Sequence, residues 1–520
     1  MTMFRVLISS TLLAAISLQA AVKPAGIFSE GMVLQRNEPV NIWGTANPGE
    51  NVTVEFAGQK KSITADPEGH WLVKLSPLPA SGESRDLNFY SSGRLQSSIG
   101  NVLVGEVWLA GGQSNMATTM QTYKRKTQPE MDRADDALLR FCTIPQNHFP
   151  GHNKGRQPQW LETNSVNIKE FSGTAYYFAK ELRKHLDVPV GIVVCATGGT
   201  PAEAWMSRET LSSKPELKRT IDAYDRHVAR EFPTDADYEN ALKEYSRAKK
   251  EYSRLRKEGK KVKKPQEIMG PRNFKRPCGL YENMLTQTIP YTVKGVIWYQ
   301  GENNASQKAG LHYRTVFSTL IEEWRSEFGK PDLPFFFCQL ATLGWGDDAH
   351  WPEVRDAQQW VADHVPNTGI AILLDGGEKE DIHPHSKDIA GYRLGLLARN
   401  KVYGEKDLVC KGPRFKNVEF QGSEAVLSFD SEELTLKSGG ENTFELAGSD
   451  GLFKPAVAAL KNGKIVLTAE GVSSPVYVRY GWHKWVTPTL YNRAGLPAGP
   501  FRTDDLPMAS EGGYYLNWVK

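Results

Sequence analysis

Two patterns of apolar and polar positions divide this chain. Between residues 22 and 102 the period is two. Val52, Val54 and Phe56 are separated by polar residues, and so are Trp71, Val73 and Leu75. Such alternation marks strands with one buried face. Asn47-Pro48-Gly49-Glu50 and Asp66-Pro67-Glu68-Gly69 supply turns between them. Short strands at this spacing predict a small sandwich. From residue 103 the apolar positions become consecutive. Val107 to Ala110, Val188 to Cys195, Val293 to Tyr299, Pro334 to Leu340 and Gly369 to Leu374 are short apolar runs. Helical segments lie between them; Ser172 is placed to cap one whose apolar face is Ala175, Phe178, Ala179 and Leu182. Strands apolar on both faces that alternate with helices predict a parallel sheet covered on both sides.

Two stretches depart from this second pattern. Residues 207–276 carry a helical stripe of Tyr238, Leu242, Tyr245, Tyr252 and Leu255, with Glu239/Lys243 and Arg254/Glu258 spaced as i,i+4 pairs. They predict a helical insertion on the outside. From residue 404 alternation returns: Leu427 and Phe429, Ile465 and Leu467, and Val476, Val478 and Tyr480. Gly439-Gly440, Ser449-Asp450-Gly451 and Asn462-Gly463 mark turns, so a second sandwich is expected. Trp482 to Phe501, rich in Trp, Tyr, Pro and Gly, reads as a loop laid over another domain. The fold class is therefore α/β, a parallel-sheet domain over 103–206 and 277–403. It is flanked by β-sandwich domains over 22–102 and 404–520 and interrupted by the insertion at 207–276.

Composition narrows the setting. A chain of 520 residues exceeds one compact core. A net charge of +3 over that length predicts no nucleic-acid partner. In an exported protein the basic run Lys260-Lys261-Val262-Lys263-Lys264 reads as a solvated face or an anion-attracting flank. Arg5, the apolar run Thr11 to Leu18 and Ala20-Ala21 have the form of a secretory signal peptide over residues 1–20. A periplasmic or secreted location is expected, with no integral membrane segment after signal cleavage. Cys142, Cys195, Cys278, Cys338 and Cys410 lie far apart without a C-x-x-C pair, so neither a metal nor a cofactor is expected.

Candidate chemistry collects where apolar strands end, the edge at which such sheets bind ligands. Val107 to Ala110 runs into Gly111-Gly112-Gln113-Ser114-Asn115-Met116. A serine just past a strand end, opening a helix, exposes its hydroxyl and points its N–H at an anion site. Taken alone, Ser114 reads more readily as a helix cap; the other parts of the chain reverse that. A serine nucleophile also needs a base, an orienting group and oxyanion donors. His383 is the base candidate, in the loop after the last apolar run, with His385 a weaker one. Asp381, two residues earlier, is the orienting carboxylate; Glu380 and Asp375 remain alternatives. For the oxyanion, the N–H of Ser114, the N–H of Gly199 and a side-chain amide from Gln300 or Asn303 are the donors. Glu302 braces that loop, because a carboxylate beside a forming anion would be repulsive.

Four blocks in order carry a resemblance: Gly112-Gln113-Ser114-Asn115-Met116, Gly198-Gly199-Thr200-Pro201-Ala202-Glu203-Ala204-Trp205, Trp298-Tyr299-Gln300-Gly301-Glu302-Asn303-Asn304-Ala305 and Asp381-Ile382-His383-Pro384. Together they resemble the sialate O-acetylesterase family of SGNH hydrolases. Phe28-Ser29-Glu30-Gly31-Met32-Val33-Leu34-Gln35-Arg36 and Tyr491-Asn492-Arg493-Ala494-Gly495-Leu496-Pro497-Ala498 are similar to its opening and its C-terminal signature. The resemblance implies a flavodoxin-like SGNH domain that removes O-acetyl groups from sialic acid, with Ser114 as nucleophile, His383 as base and Gly199 with the Gln300–Asn303 loop as oxyanion hole. It fits Asp381 as the carboxylate, although the broader superfamily spacing would select Glu380. Residues 118–159 and 207–276 look peripheral to it.

The partner expected is an O-acetylated sugar or glycan. Its carboxylate, if a sialic acid, calls for a cation, for which Arg272, Arg276 and Arg355 are candidates. Trp205 and Trp298 are placed either to stack on a sugar or to fill the core. An esterase of acetylated xylan or of lipid and a non-catalytic glycan-binding protein are the alternatives. The oligomeric state is left open.

Overall fold

The computed structural model describes residues 22–305, 309–346, 350–431 and 433–513. The segment read as a signal peptide, 1–20, lies outside them. The chain is a mixed α/β protein with one central sheet and further β-rich sheets in its C-terminal part. Seven strands form the main path of the central sheet: β1 (Arg94–Gly112), β2 (Asp135–Thr143), β3 (Gln159–Asn164), β4 (Val190–Ala196), β5 (Gly295–Tyr299), β6 (Phe335–Cys338) and β7 (Thr368–Ala371). Their spatial order is β3-β2-β4-β1-β5-β6-β7. Every neighbouring pair is parallel except β3 on β2 at the edge. Leu109 lies beside Val193 on one side and Val296 on the other, so β1 is the middle of the sheet.

The consecutive apolar runs have the expected cause. Along β1, Val107 and Leu109 join one core and Trp108 and Ala110 the other. Four helices cover the two faces: α1 (Gly173–Leu186), α2 (Tyr313–Glu327), α3 (Trp351–His364) and α4 (Lys387–Lys401). Phe178, Ala179 and Leu182 of α1 and Leu394 and Leu397 of α4 pack with Trp108 and Ile192. Phe317, Leu320 and Trp324 of α2 and Val354 and Val361 of α3 pack on the opposite face. Ser172 caps α1, its hydroxyl accepting from the Ala175 N–H at 3.1 Å.

The edge hairpin β2–β3 was not foreseen. Arg140 sits in the middle of β2 and breaks its apolar pattern. It is nevertheless buried, because its guanidinium donates to the carbonyls of Gly31 and Asn101 and to Glu162.

The N-terminal region holds two small sheets around Val40, Ile42, Val52, Val54, Phe56, Trp71, Val73 and Phe89. Strand β1 belongs to both this region and the central sheet, pairing with Ser81–Ser91 before it enters the core. The insertion folds as helices Pro215–Glu231 and Asp235–Lys257, the second opened by a Thr234–Asp237 capping box. Arg254 meets Glu258 at 2.5 Å, but Glu239 is taken by Arg272 rather than Lys243. In the C-terminal part, the strand runs Tyr477–Tyr480, and Val476 lies exposed outside it. Ile372 and Leu374, just past β7, join the C-terminal core with Leu427, Ile465 and Val478. No helix among the described residues is long and apolar enough to cross a membrane.

Candidate active site

The nucleophile turn is built by close packing. Gly112 ends β1 at φ +130°, and a Cβ there would stand 2.2 Å from the Tyr299 carbonyl oxygen, so only glycine lets β1 and β5 end together. The Gln113 N–H donates to that carbonyl at 2.9 Å. Ser114 then opens the short helix Ser114–Ala117, and its neighbours Gln113, Asn115 and Met116 are buried. The first N–H of a helix has no partner within it. Gly198 crosses directly over the serine: a Cβ there would lie 3.3 Å from Ser114 Cβ. Gly199 follows at φ +73°, a left-handed conformation.

Asn303 joins these two elements. Its Nδ2 donates to the Gly199 carbonyl at 2.8 Å, and its N–H meets Gln113 Oε1 at 3.3 Å. The amide of Asn303 therefore stands at the Gly199 turn, and three of the four expected donors share one edge. Gln300 is the exception. Its Nε2 is shared among Asn304 Oδ1 (2.8 Å), the Thr200 carbonyl (3.1 Å) and Gln113 Oε1 (3.3 Å). Its Oε1 accepts from the Tyr313 hydroxyl at 2.7 Å, and the side chain is fully buried. Expected as an oxyanion donor, Gln300 instead sits inside the floor of the site, because every polar atom of its amide is already satisfied by the protein.

The histidine loop is more open. Asp381 accepts from the His383 backbone N–H at 2.8 Å, and its carboxylate stands 3.6 Å from His383 Nδ1. The other carboxylate oxygen lies 3.4 Å from His385 Nε2, while Glu378 accepts from the His385 N–H. Of the alternatives, Asp375 is held bidentately by Arg393 at 2.6 and 2.7 Å, and Glu380 is exposed. Burial and the Lys387 charge push the His383 imidazole below its ordinary value, and Asp381 opposes them. Among the described residues no hydrogen bond joins Ser114 to His383. Such contacts commonly tighten only around bound substrate.

One side chain bridges turn and loop. Asn115 Nδ2 donates to the Ile382 carbonyl at 3.1 Å, next to His383, and to Glu302 Oε1 at 2.5 Å. Asn115 Oδ1 accepts from Lys387 Nζ at 2.5 Å. Glu302 is buried, and desolvation raises its carboxyl above the usual range, against the Asn115 hydrogen bond and the Lys387 charge. Lys387 was missed in the sequence. The available signal was its place at the first residue of α4, where the helix dipole disfavours a cation.

The walls carry aromatic and polar groups. A Cβ on Gly199 would lie 3.9 Å from Lys275 and 4.0 Å from Phe274, and the Phe274 ring lies 5.4 Å from that of His148. On the histidine side, Tyr123 packs on His385 with ring centroids 4.9 Å apart. The Gly344 N–H donates to the Lys379 carbonyl, and half-exposed Trp345 lies 5.3 Å from Lys484 Nζ. Thus loops judged peripheral supply part of the rim.

The other proposed sugar contacts are corrected. Trp205 and Trp298 are fully buried in mutual T-shaped contact, so both are core. Arg355 is fully buried and donates to the carbonyls of Leu340, Ala341, His483 and Lys484, where it ties the 482–485 stretch onto the central domain. Arg276 is paired with Glu282 and Arg272 with Glu239. Among the described residues no group of three His, Cys, Asp or Glu side chains is arranged to hold a metal ion. The five cysteines are unpaired, and four are buried.

Comparison with known proteins bears on this arrangement. The family model described as "Carbohydrate esterase, sialic acid-specific acetylesterase" matches residues 104–250 and 269–402. The match runs through 118–159 and breaks over 251–268, inside the helical insertion. Sialate O-acetylesterase of Mus musculus is 29% identical, covering 90% of this chain and 92% of its own length. That of Homo sapiens is 26% identical, covering 92% and 91%. The crystal structure of a carbohydrate acetylesterase from Xanthomonas citri superposes with a TM-score of 0.76 at 33% identity, covering 93% of this chain and all of that one.

Proposed function

The chain belongs to the sialic acid-specific acetylesterase family of carbohydrate esterases, and from that membership we propose that it works as a serine esterase on O-acetylated sialic acid. Its general activity is carbohydrate O-acetyl ester hydrolysis. The observation that carries the serine mechanism is the convergence at one sheet edge of the Ser114 turn, the Gly199 turn and Asn303, with Asn115 bonded to the carbonyl beside His383.

Ser114 Oγ attacks the acetyl carbonyl carbon and His383 takes its proton. Nδ1 faces Asp381, so Nε2 is the nitrogen available for that transfer. The tetrahedral oxyanion lies against the N–H groups of Ser114 and Gly199 and the Asn303 amide. His383 returns the proton to the leaving sugar oxygen. Water, deprotonated by the same imidazole, then attacks the acetyl-enzyme and releases acetate.

A flavodoxin-like SGNH domain is supported by strand order. With the β2–β3 hairpin set aside, the five remaining strands run 2-1-3-4-5 across the sheet. The polar and aromatic rim favours a sugar over a lipid tail. The N-terminal leader pattern supports export to the periplasm or beyond.

The test is acetate release from O-acetylated sialic acid and from acetylated xylan in parallel, by wild type and Ser114→Ala. Preference for the sialic acid, lost in the variant, is expected. Cleavage of xylan alone would keep the chemistry and overturn the substrate. Activity retained by Ser114→Ala would overturn the nucleophile.

A further inference from the structure

We propose that Lys387 is a positioning residue of this site: its ammonium, bonded to Asn115 Oδ1, holds the link between the nucleophile turn and the histidine loop and brings a buried positive charge to that junction. The inference rests on Ser114 and His383 being nucleophile and base.

The ammonium sits where isolation would be costly. Lys387 is 2% exposed, on the first residue of α4 and therefore at the positive end of the helix dipole. Its stem passes Gly173 of α1, where a Cβ would stand 3.1 Å from Lys387 Cγ. Its head lies 5.2 Å from the centre of the Tyr123 ring and bonds Asn115 Oδ1 at 2.5 Å. Glu302, from the loop after β5, and Asp381 and Glu378, from the histidine loop, are the acids that act on it, with Cys338 at the end of β6. Burial outweighs these and brings the amine down to about 8.

A lysine has donors only, so the Asn115 atom facing it must be the oxygen. The NH2 then turns to Glu302 Oε1 and to the Ile382 carbonyl. Those two acceptors select the same orientation, so Lys387 is the contact that pins the other end; without it Asn115 Oδ1 is left buried and unpaired, and the link to the residue beside His383 loosens. The same cation adds to burial in disfavouring the imidazolium of His383, with Asp381 pulling the other way. His385 lies beside the same carboxylates, Asp381 and Glu378, while Lys379 and Glu380 of that loop are exposed.

The test is the pH profile of kcat/KM for 4-nitrophenyl acetate, with the rate of Ser114 labelling by a phosphonate, in full-length Lys387→Met and Lys387→Arg. In Lys387→Met the rate at neutral pH falls about a hundredfold, the scale of an ångström-sized misplacement. Its acid limb moves to higher pH by roughly one unit, as expected when a neighbouring like charge is removed. Lys387→Arg keeps the charge and keeps the limb, whatever its rate. A merely structural lysine would lower the rate in both variants and leave both limbs in place, which would overturn the proposal. If Lys387→Met does not fold, Lys387→Gln removes the charge while keeping an N–H donor for Asn115 Oδ1: the limb again moves to higher pH, and an unmoved limb overturns the proposal. Full activity in His383→Ala would instead sink the base assignment beneath it.

Discussion

The nucleophile turn and the histidine loop meet at one edge but are made differently. Gln113 is 3% exposed and Asn115 1%, and the glycine between strand and turn has no room for a side chain. By contrast the side chains of His383, Asp381 and His385 are each about two-fifths exposed. The turn is placed by packing, which is stiff and tolerates no added volume. The loop is placed by a few polar contacts, above all the Asn115 bond to the Ile382 carbonyl and the carboxylate of Asp381. A rigid nucleophile beside a base that can adjust suits an enzyme whose imidazole must face first the serine and then a water.

The largest test of this contrast is at the turn. Ser114→Ala should lower acetyl-ester hydrolysis by about 10⁴- to 10⁶-fold while circular dichroism stays that of the wild type. On the loop side, His383→Ala should cost about 10⁴-fold or more, with folding unchanged because the side chain is only half-buried. Asn303→Ala should reduce kcat by about a hundredfold or more, as for loss of one oxyanion donor. Its neighbour should behave otherwise: Gln300→Ala should lower the melting temperature, leaving buried partners unpaired at a cost of about 1–3 kcal/mol each. If Gln300→Ala instead melts like wild type, the floor-of-site role is wrong. The smallest effects separate the carboxylates: Asp381→Asn should slow the enzyme measurably and Glu380→Gln should not. Finally, the acid limb of kcat/KM should have its midpoint below 6.5. Burial and Lys387 hold His383 below that ordinary value, and the neutral base persists above its own pKa.

Much of this arrangement was legible in the chain. Strands buried on both faces leave consecutive apolar runs, and four such runs end at Ser114, Thr197, Gln300 and the His383 loop. What escaped depends on partners remote in sequence. The burial of Arg140 depends on Gly31, Asn101 and Glu162, all distant in sequence. Gln300 and Asn303 are equivalent amides until Tyr313 and Thr200 claim the first. Arg355 suggested a ligand contact, yet the carbonyls it binds belong partly to the C-terminal region. Lys387 went unmarked because its setting is created by Asn115, Glu302 and Tyr123 together.

The strand that delivers Ser114 has a bearing on modularity. It runs 19 residues from Arg94 to Gly112 without a break, paired first with the N-terminal sheet and then with β4 and β5. No cut near residue 102 falls in a linker; each severs the beam on which the serine is mounted. The esterase core is therefore not a cassette that recombination or cloning can lift away from its N-terminal region, and the two should melt in a single cooperative step.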